Sequence, residues 1–169
     1  RAHVHFLESL DVVNRAMHGA TSLEHGMDAV LDTMLTVFDC DRAWIVRRAA
    51  TAAPVWRVAF ERTRPEYPGV GAGHVFDPDL CGALEDAAAI DGPVPLDGND
   101  PILIELRARF GVQAQMVMAV TPEDQPSYIL GVNHCSRARE WSGADRRLFQ
   151  EIGRRLRDTL HALLVHDAL

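Results

Sequence analysis

The stretch Tyr128–Leu164 constrains the fold more than any other part of the chain, because it reads as a buried strand, a short turn and a long helix. The strand runs Tyr-Ile-Leu-Gly-Val-Asn-His-Cys, Tyr128 to Cys135. Its first half is apolar, and Gly131 leaves room for another backbone or a ligand to come close. Ser136–Trp141 is a turn, polar until its last residue. Ser142-Gly-Ala-Asp145 then has the form of a capping box, a serine hydroxyl for a free helix N–H and a carboxylate three residues on. Leu148, Phe149, Ile152, Leu156, Leu160, Leu163 and Leu164 follow at helical spacing. Phe149, Leu156 and Leu163 stand seven apart. This stripe either packs on a sheet or continues into a dimeric coiled coil, and the number of heptads does not decide between the two.

Upstream, residues 2–18 form a predicted helix with Phe6, Leu10, Val13 and Met17 on one stripe, ended by Gly19. Thr21 or Ser22 caps a second helix with Leu23, Met27, Val30, Leu31, Met34, Leu35 and Phe38 inward. Ala43–Arg47 is a strand with Trp44 and Val46 on one face, and Val55–Glu61 is the next. Arg62–Asp79 holds too many Pro and Gly residues for a regular element, which marks it as a lid or binding loop. A short helix over 79–90, an extended piece over 92–96 and a turn over 97–100 follow. Pro101 opens a helix to Phe110 behind Asp100, and Gln113–Val120 is a strand that turns back into Tyr128. The order α-α-β-β-loop-α-α-β-β-α predicts an α+β fold, with helices segregated between the faces of an antiparallel sheet.

At 169 residues, 47% hydrophobic and 24% charged, the chain reads as one globular domain over 1–169. No apolar run reaches the roughly 18 residues of a membrane span and no signal-peptide pattern is present, so membrane contact is not expected and a cytoplasmic location is. The formal charge of −7 argues against a nucleic-acid surface. All 17 basic residues are arginine, which excludes a Schiff-base or P-loop lysine. Cys40, Cys81 and Cys135 form no CxxC pair, arguing against a disulfide framework and a zinc finger. His3 and His5 diverge on a helix, and His134 and Cys135 point to opposite faces of a strand, so no metal site is expected. There is no G-x-S-x-G, HExxH or glycine-rich phosphate loop. Asp77 and Asp79 are read as cap and turn residues.

Gly131–Ser142, together with Leu-Phe-Gln-Glu-Ile-Gly-Arg-Arg-Leu at 148–156, resembles the last strand and final helix of bacterial GAF domains. The likeness is to the branch found in sensor histidine kinases, diguanylate cyclases and phytochrome-like photoreceptors. Phe6–Leu10 and Phe38–Trp44 resemble that family's opening helices and first strand. The resemblance implies a non-catalytic regulatory sensor. It would have signalling helices at 1–18 and 143–169, a homodimer formed through them, and a covalently linked output domain such as a diguanylate cyclase or histidine kinase. His166–Leu169 resembles the start of a GGDEF module and equally suits a linker into a PAS domain, and the start at Arg1 suggests an excised domain.

Photoreceptor relatives hold a bilin through a Cys-His pair shortly before a helix ending in Arg-Phe. Before Arg109-Phe110 those positions are Ile102 and Leu103, so no thioether forms there and the cofactor stays open. The Asn-Lys-x-Phe-x-Asp-Glu signature of cyclic-nucleotide GAF domains needs a lysine this chain does not have. The resemblance places a small-molecule pocket between the sheet and the middle helices, under the long loop. Its candidate ligand-binding residues are Gln113, Gln115, Asn133 and Arg57 on strands and Tyr67 and His74 in the loop. Gln113 and Gln115 otherwise face solvent or hydrogen-bond the backbone. Two further readings stand beside the sensor: a ligand-free dimerisation and transmission module, and the free methionine sulfoxide reductase branch, whose cysteine pattern Cys40, Cys81 and Cys135 do not match.

Overall fold

The structure, a computed structural model, describes residues 2–19, 22–96 and 98–168, with side chains from 5 onward and up to 165. Thr21, the alternative cap, and Asp97 of the predicted turn lie outside the described residues, as does the side chain of His3. The elements are α1 (Ala2–His18), α2 (Leu23–Val37), β1 (Arg42–Arg48), β2 (Trp56–Thr63), α3 (Pro78–Ala88), β3 (Val94–Leu96), α4 (Pro101–Phe110), β4 (Ala114–Val120), β5 (Tyr128–His134) and α5 (Gly143–Ala168). The strands form one antiparallel sheet in the order β2-β1-β5-β4-β3.

Local chemistry sets most of the boundaries. Ser22 Oγ accepts the His25 N–H at the start of α2. Asp77 caps α3 through the Leu80 N–H, with Pro78 at the first helical position, so this helix begins before residue 79 and shortens the irregular segment. Asp100 caps α4 through the Ile102 N–H, and Gly111 closes it at φ 72°. At α5 the capping box is reciprocal: Asp145 N–H donates to Ser142 Oγ at 3.0 Å, and Ser142 N–H donates to Asp145 Oδ2 at 3.0 Å.

Side-chain alternation divides the sheet between two cores. Ala43 and Ile45 of β1, Met116 and Met118 of β4, and Leu130 and Val132 of β5 face α1, α2 and α5. Trp44, Val46, Trp56, Val58, Val117 and Ile129 face α3 and the irregular segment. Phe149, Ile152, Leu156 and Leu160 are fully buried in the first core, so this part of the α5 stripe packs within the chain, while Leu163 and Leu164 are only partly buried against it. Gly153 permits this close packing, because a Cβ there would overlap the tip of Met118 on β4.

Candidate functional site

On the second face, the sheet, α3, α4 and the 64–77 segment enclose a cavity of about 280 Å³. Its walls are largely apolar, with Trp44 and Val117 from the sheet, Leu84 from α3, Leu106 from α4, and Val70 and Phe76 from the segment above. The roof is braced from both sides. Arg109 Nη2 meets Asp77 Oδ2 at 2.6 Å, joining the end of α4 to the start of α3. Glu85 of α3 accepts Arg48 Nε at 2.5 Å and Trp56 Nε1–H at 3.2 Å, which ties it to β1 and β2.

Across the floor runs one polar row. Arg42 of β1 opposes Asn133 of β5, and Asn133 opposes Gln115 of β4. All three line the cavity. The Arg42 guanidinium reaches past the row to hold the roof. Nε donates to the Tyr67 carbonyl at 3.1 Å, Nη1 to that of Phe110 at 2.8 Å and Nη2 to that of Pro68 at 3.1 Å. Glu61 also lines the cavity, and its Oε1 accepts the Gly71 N–H at 2.9 Å. Asn133 Oδ1 is buried and has no hydrogen-bond partner. An unpaired buried polar atom costs about 1–3 kcal/mol, which makes this oxygen the chemically conspicuous point of the site.

Of the six residues singled out from the sequence, Gln115 and Asn133 line this cavity and the other four do not. Arg57 is exposed and lies between the inward Trp56 and Val58, hence on the opposite face. Tyr67 gives its backbone carbonyl to Arg42. His74 stacks edge-on against Phe76 at 5.2 Å, behind the cavity wall. Gln113 precedes β4, half-buried, with its N–H on the His134 carbonyl. Arg42 was not singled out, although its place two residues before Trp44 puts it on the Trp44 face of the strand.

A second polar cluster lies behind the row, where the start of β1 meets the end of β5 and the turn before α5. Asp41, 1% exposed, accepts the Cys135 and Ser136 N–H groups at 2.7 and 2.9 Å and the Ser136 hydroxyl at 2.9 Å. Burial alone would raise its carboxyl, but these donors outweigh burial and hold it below the usual carboxylate range. His134 is fully buried against Trp141, and its Nε2 accepts from Arg139 Nη1 at 2.7 Å. Burial, reinforced by the Arg139 charge, lowers its pKa to about 4. Arg139 continues to Asp145 at 3.0 Å, inside the α5 capping box.

The cysteines are separate and free. Cys40 belongs to the first core, where burial pushes its thiol up to about 12, and Cys81 belongs to the second. Among the described residues, no group of three His, Cys, Asp or Glu side chains is placed to hold a metal ion. Among the same residues, no helix is long and apolar enough to cross a membrane.

A scan of family models gives no match to this chain, and neither does a search of curated proteins. Solved structures do match. The phycocyanobilin-bound GAF domain of a cyanobacterial phytochrome superposes with a TM-score of 0.78 at 17% identity, over 94% of this chain and 96% of that one. The chain has the GAF fold. The chromophore-binding domain of an unusual bacteriophytochrome from R. palustris agrees, with a TM-score of 0.80 at 14% identity over 99% of this chain and 64% of that one. The chromophore-binding domain of a Stigmatella aurantiaca phytochrome gives 0.76 at 16% identity, and there this chain spans 59% of the other's length. In GAF terms, the α+β architecture expected from the order of elements is the one found, with terminal helices on one face and short helices and the long segment on the other.

Proposed function

We propose that this chain is a non-catalytic, cytoplasmic sensor domain that binds a small molecule in the 280 Å³ cavity and passes its occupancy to a covalently linked output domain, a diguanylate cyclase or a histidine kinase. The observation that carries this reading is the unpartnered Asn133 Oδ1, buried in the polar floor of a cavity whose walls are largely apolar. That oxygen has essentially no accessible surface in this conformation, so a ligand donor satisfies it only when the carboxamide turns towards the cavity, which is how a ligand biases one conformation over another. The next residue, His134, faces the other side of the sheet and contacts Arg139, which holds Asp145 at the start of α5. The cavity floor and the terminal helix thus meet within two consecutive strand residues.

Two of the similar solved structures, both GAF domains of cyanobacterial phytochromes, are described as phycocyanobilin-bound and phycoerythrobilin-bound. Here Ile102 lines the cavity, no cysteine is among its described lining residues, and Cys81 of α3 is buried with its Sγ on the Phe76 carbonyl at 3.4 Å. These features favour a non-covalent, smaller ligand. The proposed homodimer uses the outer faces of the terminal helices, because most of the inner stripe of α5 is already packed. Leu7 and Val12 of α1 and Val165 of α5 are exposed there.

Native mass spectrometry of the purified chain, beside its absorption spectrum and light-scattering mass, tests this reading. A retained small molecule on a dimer is expected. A chain that carries nothing and shows no thermal shift with any small molecule would make it a transmission module instead.

A further inference from the structure

Two carboxamides stand side by side on the cavity floor. Asn133 and Gln115 are direct partners across β5 and β4, 5% and 8% exposed, and both line the cavity. A primary amide presents a donor and an acceptor in one plane. It therefore matches another amide edge that offers N–H and C=O on the same side. One step along the sheet, Trp44 opposes Gly131 and its indole ring lies across that glycine, which gives the cavity an aromatic wall next to the amides.

Charge narrows the class. The Arg42 guanidinium already spends three of its five N–H donors on carbonyls, and two acidic residues, Glu61 and the exposed Asp86, are among those lining the cavity. An anionic ligand would meet that acidic pair with only one guanidinium, largely engaged with the roof, to answer it. An uncharged ligand leaves every one of these groups as it is. Size narrows it further. A cavity of about 280 Å³ is on the order of nine water volumes, near the lower bound for ligand pockets, which suits one fused ring system. Val70 and Ile90 at its rim are exposed apolar side chains, suited to admitting a flat apolar body.

We propose that the cavity takes a small, planar, uncharged heterocycle with a lactam or imide edge, hydrogen-bonded to Asn133 and Gln115 and stacked on Trp44. This rests on the ligand-sensor reading above and specifies the ligand class.

The test compares three probes on the unmodified chain by calorimetry and ligand-observed NMR: 2-quinolone, N-methyl-2-quinolone and 2-naphthoate. The lactam is expected to bind at least about tenfold tighter than its N-methyl analogue, which has lost the donor, and tighter than the anion. Asn133→Leu, with its fold checked by circular dichroism, is expected to erase that preference. Equal or tighter binding of the N-methyl compound or of naphthoate overturns the assignment while leaving a ligand-binding cavity. No 2-quinolone binding at about 1 mM also overturns it, and the retained molecule sought by native mass spectrometry then decides separately whether the sensor reading stands.

Discussion

The indole of Trp44 lies directly across the Cα of Gly131 on the neighbouring strand, so closely that any Cβ at Gly131 would fall inside the ring's van der Waals envelope. The glycine therefore serves a side chain rather than another backbone, and it shapes one wall of the cavity. Gly131→Ala is expected to displace the ring and destabilise the chain by about 2 kcal/mol, within the usual range for overpacking. In a Trp44→Leu background the same substitution should be nearly neutral. Denaturant midpoints for the four-protein cycle check this, and an unchanged cost in the Trp44→Leu background would mean that the indole is not the obstacle.

Asp41 is the joint between the first strand and the turn into α5. Its single buried carboxylate group answers two backbone amides and a hydroxyl, and its Oδ1 stands 3.6 Å from Arg64. Asp41→Ala leaves the Cys135 and Ser136 amides without their acceptor, at an expected cost of about 3 kcal/mol. Hydrogen exchange should show selective loss of protection at residues 135 and 136, ahead of the sheet centre. Uniform loss across the sheet would indicate a general packing defect instead.

What could be read from the residues alone divides along sequence distance. The Ser142–Asp145 capping box and the Asp100–Pro101 helix start involve neighbours within three residues, so their chemistry is complete in the local string. The stripe Leu10, Val13 and Met17 likewise declares its inner face by period alone, and all three are buried. Alternation on β4 and β5 brings Gln115 and Asn133 to one face. Arg57, Tyr67 and His74 depend on something else. Where the 64–77 segment lies is decided by bonds such as Arg42 to Tyr67 and Val58 to His74, each between residues far apart in sequence. The face of Arg57 follows from Trp56 and Val58 being the inward pair, a matter of one-residue register. Arg42 was legible by the same alternation that places Trp44, yet its role became visible only with its three carbonyl partners in place.

Arg42 supplies the next test. Its fork spans three carbonyls on two separate segments, a geometry that a lysine ammonium cannot reproduce. Pro68 is exposed and Tyr67 half-buried, so their carbonyls can regain water when the fork is lost. Arg42→Lys is therefore expected to lower global stability by only about 1 kcal/mol. The larger effect should be local, with faster amide exchange across residues 64–71. A global loss several times larger, with the segment's exchange unchanged, would show that the guanidinium supports the core rather than the roof.

His134 gives the chain an acid-sensitive step whose direction follows from its surroundings. It is fully buried, Arg139 donates to its Nε2, and Trp141 covers the ring. Asp41 and Asp39 pull its pKa up and Arg137 pushes it down, but burial and Arg139 dominate and bring it to about 4. The folded pKa therefore lies below the unfolded value near 6.5. Stability from keeping this ring neutral is complete above pH 6.5 and drains away as pH falls towards 4. With about 1.4 kcal/mol per unit, the loss over that window is about 3 kcal/mol. The strain falls on Arg139, which also holds Asp145 at the start of α5, so helix fraying at residues 143–147 should accompany it. Denaturant unfolding between pH 7.5 and 4.5 should show the decline in the unmodified chain and a shallower slope in His134→Asn, which lacks the titrating ring. Parallel slopes in the two proteins would assign the acid sensitivity to the carboxylates instead.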